Sequence, residues 1–296
     1  MKKLLMIALA AAICSCSKQE LKENPNPQQA YDDALKTSDY GKNKSGKFYD
    51  IRGFKMYCET YGSGEPLLLI HGNGGNISNF VMQIDYFSKK YKVIVPDSRA
   101  QGKSIDAKDS LSYEMMADDF SELLKQLKIQ KADVIGWSDG GINALLLAKR
   151  HPEQVKKLAI TGANAWPDET AIEPGEWTNM QKGFHEIETK IKSGASKKPE
   201  DSLSYKLQKL MAENPHISTR DLSEIKAPVL VIGGDHDMIR PEHTLAIFRA
   251  LPNAQLWIMP DSGHATLIGF AKEFNEKIDA FFSRDFHIRA ENERFF

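Results

Sequence analysis

The sequence has few cysteines, no long block of basic residues and no apolar run of membrane-spanning length. Its 296 residues include three cysteines, 39 basic and 40 acidic residues, with a formal net charge of −1. Three cysteines cannot supply the disulfide framework of a small, core-poor secreted fold. The balanced charge disfavours nucleic acid as a partner. A hydrophobic core must therefore stabilise the chain, and its length and 41% hydrophobic content suffice for one.

The first 16 residues have the pattern of an export signal. MKK at positions 1–3 is positively charged, and the apolar run LLMIALAAAI follows at Leu4–Ile13. This run is too short to cross a bilayer as a helix, but it has the length of a signal-peptide core. The next residues, ICSC, resemble a bacterial lipobox, with an aliphatic residue three places before Cys16 and a small residue directly before it.

This resemblance implies that residues 1–15 are a signal peptide and that Cys16 is acylated. The lipid would anchor an exported protein to a membrane of the cell envelope. Cys14 fits the pattern less well, because the bulky Ile13 precedes it. A plain secreted protein cut by an ordinary signal peptidase is the open alternative. With Cys14 removed and Cys16 acylated, Cys58 has no disulfide partner, and we interpret it as a small buried hydrophobic residue in a strand.

The remaining chain divides into a tether, one domain and a tail. Residues 16–47 are polar, with NPNPQQ from Asn24 and GKNKSGK from Gly41, and they predict a flexible or lightly ordered tether. Residues 48–285 predict one folded domain, which we expect to be monomeric. Residues 286–296 form a short C-terminal tail.

Strand-like and helix-like patterns alternate along the domain. The strand-like apolar runs are LLLI at Leu67, VIV at Val93, DVI at Asp133, LAI at Leu158, VLVI at Val229 and LWIM at Leu256. Continuous runs of this kind are typical of strands buried on both faces of a sheet. Helical patterns lie between them, at about 77–89, 113–127, 140–150, 243–250 and 270–282. The alternation predicts an α/β fold with a mostly parallel central sheet flanked by helices.

One segment, at about 163–220, contains no strand-like run. Its aromatic and aliphatic residues are spaced among charged residues as in amphipathic helices. An insertion of this size between two strands is typical of a lid or cap. We therefore expect a helical cap whose apolar side chains suit an acyl or aryl group.

A serine lies among small residues where a strand pattern changes to a helix pattern. The stretch is VIGWSDGGI, Val134–Ile142, with G-x-S-x-G around Ser138. This pattern is typical of a nucleophile elbow, in which small residues two places on either side permit a tight, strained turn. A tight turn without chemistry is the plain alternative. A nucleophilic serine also needs a histidine base, and the base needs an acid that orients it.

Two later loops supply these residue types. GGDHDMIRP, Gly233–Pro241, follows one strand-like run, and PDSGHA, Pro260–Ala265, follows the next. Both lie past the carboxyl ends of strands, where open α/β sheets build their sites. On these motifs the chain resembles the capped, single-domain α/β-hydrolases, from about Phe48 to Phe282. The resemblance implies a catalytic triad in the chain order serine, acid, histidine.

The family pattern assigns the acid and the base. G-x-x-D after the acid strand selects Asp237, with Asp235 as the open alternative. S-G-H selects His264 as the base. Of the other histidines, His151 is assigned to a helix end, and His185, His216 and His243 are assigned to cap or surface positions.

The loop HGNGG, His71–Gly75, resembles the family's oxyanion loop. By this resemblance the backbone N–H groups of Asn73 and Asp139 hold the oxyanion. A phosphate-binding loop is the alternative, but the lysine that such a loop requires does not follow. We interpret His71 as structural, and Trp137 is equally compatible with the pocket and with the core.

The stretch PDSRAQGKS, Pro96–Ser104, resembles the family's D-x-R-G-x-G-x-S loop. Ala100 stands where the family has glycine, which leaves the local turn geometry open. We interpret Asp97, Arg99 and Ser104 as structural.

The resemblance implies a serine hydrolase that forms an acyl-enzyme and needs no metal or organic cofactor. A serine nucleophile disfavours epoxide opening and halide displacement, for which family members use an aspartate. We predict a carboxylic ester hydrolase for small-molecule esters with an apolar acyl or aryl group. The alternatives are a C–C bond hydrolase, a lactonase or a perhydrolase on the same fold, and a non-catalytic binding lipoprotein.

Overall fold

The computed structural model describes residues 26–106 and 110–287. The expected signal peptide and the lipidation residue Cys16 lie outside the described residues, as does most of the tail at 286–296. Between 26 and 287, no helix in the described part of the chain is both long and apolar enough to cross a membrane.

Strands and helices alternate through the described residues. The strands are β1 Lys47–Ile51, β2 Phe54–Tyr61, β3 Glu65–Ile70, β4 Tyr91–Pro96, β5 Ala132–Trp137, β6 Val155–Thr161, β7 Val229–Gly234 and β8 Ala254–Met259. The helices are α1 Pro27–Thr37, α2 Val81–Phe87, α3 Tyr113–Gln126, α4 Asp139–Arg150, α5 Pro174–Lys192, α6 Pro199–Glu213, α7 Thr219–Ser223, α8 Pro241–Ala250, α9 Thr266–Gly269 and α10 Ala271–Ser283.

The eight strands form one sheet in the order β1-β2-β4-β3-β5-β6-β7-β8. Strands β3 to β8 are parallel, and β2 is antiparallel to both β1 and β4. The chain moves from β3 to β4 on one side and returns to β5 on the other side of β3. This reversal opens a crevice at the carboxyl ends of β3 and β5. The predicted α/β fold with a mostly parallel central sheet is confirmed.

The core lies on both faces of this sheet. The β3 residues Leu67, Leu68, Leu69 and Ile70 are all 0% exposed. Leu68 and Ile70 belong to a cluster with α3 and α4, whereas Leu67 and Leu69 belong to one with α2 and α10. Helices on both faces explain why the strands read as continuous apolar runs and not as alternating ones. Cys58 of β2 is buried, as predicted.

The chain before β1 differs from the tether expected over 16–47. Helix α1 begins after Asn26, whose side chain caps its first turn, and a proline occupies its first position. Tyr31 of α1 is buried, the helix contacts α2 and α9, and the Asn79 amide donates to the Tyr31 hydroxyl at 3.4 Å. Burial of one aromatic side chain against the domain fixes a helix that its polar composition does not predict.

The segment between β6 and β7 forms the cap. Helices α5 and α6 contact each other above the sheet, in the region where amphipathic spacing predicts helices. The base of the cap is bonded to the loop after β7. The Glu173 N–H donates to the Met238 carbonyl at 2.8 Å, and the Arg240 N–H donates to the Ala171 carbonyl at 2.9 Å.

Candidate active site

Ser138 lies at the turn between β5 and α4. Its φ of +55° and ψ of −123° are strained for a residue with a side chain. The turn depends on neighbours without side chains. A Cβ on Gly136 would lie 2.3 Å from the Gly140 carbonyl oxygen, and one on Gly140 would lie 1.9 Å from the Ile70 carbonyl oxygen. A side chain at either position would clash with a backbone carbonyl oxygen. The turn therefore requires glycine two places before and two places after the serine.

The three residues expected to form the triad are hydrogen-bonded in sequence. His264 Nε2 lies 2.9 Å from Ser138 Oγ, and His264 Nδ1 lies 2.7 Å from Asp237 Oδ1. The Asp237 side chain is fully buried, and its Oδ1 also accepts the Ile239 N–H at 3.0 Å. The fold thus brings together loops that follow β5, β7 and β8.

The open alternatives around the triad are resolved by contacts. Asp235 does not bond the imidazole; its carboxylate accepts the Ser262 N–H at 3.2 Å. Trp137 has both of its expected roles, because it lines the cavity and packs against the core. Its indole N–H also donates to the His264 carbonyl at 2.9 Å, which connects the elbow to the histidine loop.

The loop after β3 faces the serine. A Cβ on Gly72 would lie 3.1 Å from the Ser138 Cβ. Within the described residues, neither the Asn73 N–H nor the Asp139 N–H donates a hydrogen bond. The side chains of these two residues do meet, since Asn73 Nδ2 donates to Asp139 Oδ2 at 2.8 Å. The two residues expected to supply the oxyanion donors thus lie beside Ser138 and contact each other.

A cavity of about 330 Å³ lies over Ser138 and His264. The lining residues that the sequence did not single out for this role are Tyr113, Asn79, Asn164, Ile172, Met180, Met211, Asn214, Met238 and Ile239. Met180 and Met211 belong to the cap helices, so the cap forms part of the wall. The sequence indicates these two methionines only through their helical spacing in the cap. Among the described lining residues there is no lysine or arginine, and the one carboxylate is that of Asp139.

Asp139 has a perturbed acidity. Burial raises the pKa of its carboxyl to about 6, while hydrogen bonds from Asn73 and Tyr113 oppose the rise. Burial also raises the pKa of Tyr113, so the phenol stays protonated next to this carboxylate. Burial therefore brings the pKa of this cavity-lining carboxyl closer to neutral pH.

The residues interpreted as structural have structural contacts. His71 Nε2 accepts the Ser98 N–H at 2.9 Å, and burial lowers the pKa of His71. Asp97 Oδ1 accepts the Ile77 N–H at 2.9 Å. Arg99 is buried and pairs with Asp119 at 2.6 Å.

The remaining residues of the Pro96–Ser104 loop also hold its shape. Ser104 Oγ donates to the Asp97 carbonyl at 2.7 Å and accepts the Tyr57 N–H at 2.9 Å. Ala100 has a φ of +62°, so it occupies the left-handed turn position at which the family has glycine. The turn geometry is retained despite the substitution.

The assignment of His243 to the surface is wrong. This histidine of α8 is 2% exposed, and its Nε2 accepts the Ala165 N–H at 2.9 Å. Burial lowers its pKa to about 4, which keeps the ring neutral and able to accept. Its polar residue type gave no sign of this burial, which depends on Trp166 packing against the ring at 4.3 Å between centroids.

Known proteins resemble this chain in sequence and in fold. A family model described as the alpha/beta hydrolase fold matches residues 65–186. The serine hydrolase BPHL of Mus musculus is 26% identical, with 78% of this chain and 84% of that protein covered. A 2-hydroxy-6-oxononadienedioate/2-hydroxy-6-oxononatrienedioate hydrolase of Paraburkholderia phymatum is 29% identical, with 75% and 88% covered.

A solved structure shows the same fold. The thermophilic esterase from Thermogutta terrifontis superposes with a TM-score of 0.66 at 23% identity, covering 80% of this chain and 97% of that one. This similarity agrees with the mostly parallel sheet flanked by helices. The chain has the α/β-hydrolase fold and is a hydrolase.

Proposed function

We propose that this protein is a serine hydrolase of carboxylic esters, with Ser138 as nucleophile, His264 as base and Asp237 as the acid that orients the base. The observation that carries the proposal is the continuous hydrogen-bonded path from Asp237 through His264 to Ser138 beneath an open cavity. A serine hydroxyl is a weak nucleophile unless a base accepts its proton, and the 2.9 Å contact with His264 provides that base.

The reaction follows from these positions. Ser138 Oγ attacks the ester carbonyl carbon while His264 Nε2 accepts the hydroxyl proton. Asp237 stabilises the resulting imidazolium, which then protonates the departing alcohol, and an acyl-enzyme remains. His264 next takes a proton from water, the hydroxide attacks the acyl carbon, and the acid leaves as Ser138 recovers its proton.

The oxyanion of each tetrahedral intermediate is bound by the N–H groups of Asn73 and Asp139. Donors of this type contribute about 3 kcal/mol each to transition-state stabilisation. One donor lies in the loop after β3 and the other at the start of α4, and both lie at the switch point of the sheet.

Hydrolysis of a C–C bond is the second candidate, because one relative is named as a hydrolase of oxo-dienedioates. Such substrates are dicarboxylates. The cavity of this chain has a buried carboxylate at Asp139 and no lysine or arginine among its described lining residues. A second negative charge in that space is unfavourable, so the electrostatics favour uncharged esters with an apolar acyl or aryl group.

The test is the initial rate of hydrolysis of p-nitrophenyl esters from acetyl to palmitoyl, with Ser138→Ala as control. We expect turnover that depends on Ser138 and that has a maximum at one chain length. The absence of Ser138-dependent hydrolysis for every ester would reject the proposal.

A second panel separates the two reactions. It contains two 2-hydroxy-6-oxodienoates of equal length, one ending in a methyl group and one in a carboxylate. Faster turnover of either dienoate than of the best ester would make C–C hydrolysis the main activity. A preference for the carboxylate form would contradict the electrostatic argument for this cavity.

We also propose that the protein is exported and anchored to a membrane through acylated Cys16. The support is the positive start, the ten-residue apolar run and the lipobox-like ICSC. Metabolic labelling with an alkyne fatty acid, compared between wild type, Cys16→Ser and Cys14→Ser, tests this. Label lost only in Cys16→Ser supports the anchor, and an unlabelled wild type recovered in the soluble fraction contradicts it.

A further inference from the structure

The proposed mechanism leaves one buried acid of the cavity without a role. Asp139 directly follows Ser138 in the chain, and the residue is 5% exposed. Its carboxylate accepts the Asn73 amide at 2.8 Å and lies next to the Tyr113 phenol. A buried carboxylate is costly unless its contacts serve the site, and no lysine or arginine of the described residues pairs with this one.

The Asn73 to Asp139 hydrogen bond joins the two residues whose backbone N–H groups bind the oxyanion. Asn73 belongs to the loop after β3, and Asp139 is the first residue of α4, so separate elements carry the two donors. Each donor must lie 2.7–3.1 Å from the oxyanion to be effective. A hydrogen bond between the two side chains restricts the distance between the two backbone N–H groups at the oxyanion site.

The same amide also reaches the cap. Asn73 Nδ2 lies 3.5 Å from the Leu207 carbonyl oxygen of α6. The Asp139 carboxylate also contacts Tyr113, the first residue of α3, which is 1% exposed. Asn73 thus contacts the elbow and the cap, and Asp139 contacts a core helix.

We propose that the side chains of Asn73 and Asp139 form a clasp that positions the two oxyanion N–H groups, which makes both side chains positioning groups of the reaction. This inference rests on the proposed ester hydrolysis. The clasp supports a geometry that matters most when negative charge develops on the oxyanion. Its loss should therefore lower kcat while the KM of an uncharged ester changes little.

Two single variants and their combination test the clasp. Asn73→Ala and Asp139→Ala both retain the backbone N–H donors and remove the bond between the two side chains. We expect each to lower kcat on a p-nitrophenyl ester by about 10- to 100-fold, less than the 10²- to 10³-fold loss on removing a donor itself. KM should stay within about threefold. The double variant should lose little more than either single variant, since one bond is removed in all three.

A conservative variant separates hydrogen bonding from charge. Asp139→Asn retains an oxygen that can accept the Asn73 amide. We expect it to recover most of the kcat that Asp139→Ala loses. Because the clasp acts through this bond, kcat in Asp139→Asn as low as in Asp139→Ala would overturn the positioning role.

Transition-state analogues distinguish positioning from a general structural role. An alkyl trifluoromethyl ketone adds to Ser138 and places an oxyanion at the two N–H groups, whereas the matching methyl ketone binds largely without addition. In Asn73→Ala and Asp139→Ala, affinity for the trifluoromethyl ketone should fall in parallel with kcat/KM. Affinity for the methyl ketone should stay within about threefold.

Asp133→Asn is the matched control. Asp133 is also a buried aspartate whose pKa burial raises to about 6, but it lies at the opposite end of β5. Its replacement should leave kcat and the affinity for the trifluoromethyl ketone unchanged. Circular dichroism and thermal unfolding of all variants verify folding, and Asn73→Ala, at a half-buried loop position, remains informative if Asp139→Ala fails to fold.

The outcomes separate this inference from the proposed function. If the wild-type protein shows no Ser138-dependent turnover and no affinity for the trifluoromethyl ketone, ester hydrolysis fails and the inference fails with it. If the wild type is active and Asn73→Ala matches it in kcat and in affinity for the trifluoromethyl ketone, only the clasp is overturned. Equal losses of affinity for both ketones would also overturn it, because they indicate altered binding and not a positioned oxyanion hole.

Discussion

Two buried aspartates at opposite ends of β5 have the same perturbed acidity but different surroundings. Burial raises the pKa of Asp133 and of Asp139 to about 6. Asp133 lies at the amino edge of the sheet, and its Oδ1 has no hydrogen-bond partner among the described residues. Asp139 lies at the carboxyl edge, accepts the Asn73 amide and faces the cavity.

This difference shows that a shifted pKa does not identify a functional group by itself. Burial explains the raised pKa of both aspartates. Only the carboxyl edge also has diverging loops, the serine of the elbow and a cavity. We therefore expect substitutions at the carboxyl edge to lower turnover with modest effects on stability. Substitutions at the amino edge should change stability and leave turnover unchanged.

The largest effect is expected at the acid of the triad. Asp237→Asn should lower kcat by about 10⁴-fold at neutral pH, because an amide favours the wrong imidazole tautomer and cannot stabilise the imidazolium. The check is a comparison of kcat on the best ester. Asp235→Asn is the control from the same loop, since Asp235 bonds the Ser262 N–H and not the histidine. A comparable loss of kcat in Asp235→Asn would mean that the assignment of Asp237 as the acid is wrong.

The second effect concerns stability at the amino edge. The folded-state pKa of Asp133, about 6, is above its ordinary value of 3.8. As pH rises from 4 to 6, the unfolded chain releases this proton while the folded chain retains it, so the group lowers stability, and the full penalty is present above about pH 6. Asp133→Asn should therefore raise the free energy of unfolding by about 2 kcal/mol more at pH 7 than at pH 4.

Urea unfolding of wild type and Asp133→Asn at both pH values measures this difference. The same change in free energy at pH 4 and pH 7 would show that the carboxyl of Asp133 does not titrate with a raised pKa. Because Asp133 lies far from the cavity along β5, the kcat of the variant should equal that of wild type.

The third effect concerns the cap residues that line the cavity, compared with a cap residue that is exposed. Met180 of α5 and Met211 of α6 line the cavity, whereas Leu203 of α6 is exposed. Met180→Ala or Met211→Ala should change kcat/KM for long acyl chains by about 10-fold and for acetyl by less than about twofold, because only long chains reach the cap. Leu203→Ala is the control and should leave the chain-length profile unchanged. Equal changes for acetyl and long chains would place these methionines at the reacting centre.

The smallest effect is expected at Ala100, in the loop after β4. Its φ of +62° is strained for alanine and is accessible to glycine at no steric cost. Ala100→Gly should raise the free energy of unfolding by up to about 1 kcal/mol, offset in part by the greater entropy of the unfolded glycine. Thermal unfolding measures it. A clear loss of stability would mean that the alanine methyl group is needed for packing in this loop.

Local patterns predicted most of the fold and the chemical groups of the site. Continuous apolar runs identified β3 to β8, and G-x-S-x-G identified the elbow, because both patterns depend on residues a few positions apart. The choice of Asp237 over Asp235 came from family spacing, and the contact with His264 agrees with it. Helix α1 was missed because a polar helix leaves little periodic signal when one tyrosine provides its anchor.

By itself, then, the sequence determined the α/β class and the helical cap, and it predicted the serine, histidine and aspartate that we propose as nucleophile, base and acid. Tertiary structure alone decided which side chains meet across long separations. Asn73 and Asp139 are 66 positions apart in the chain, and His264 and Ser138 are 126 apart. Such contacts depend on the order of strands in the sheet, which brings distant loops to one edge. The burial of His243 and the methionine wall of the cavity depend on the same packing, which no short stretch of sequence encodes.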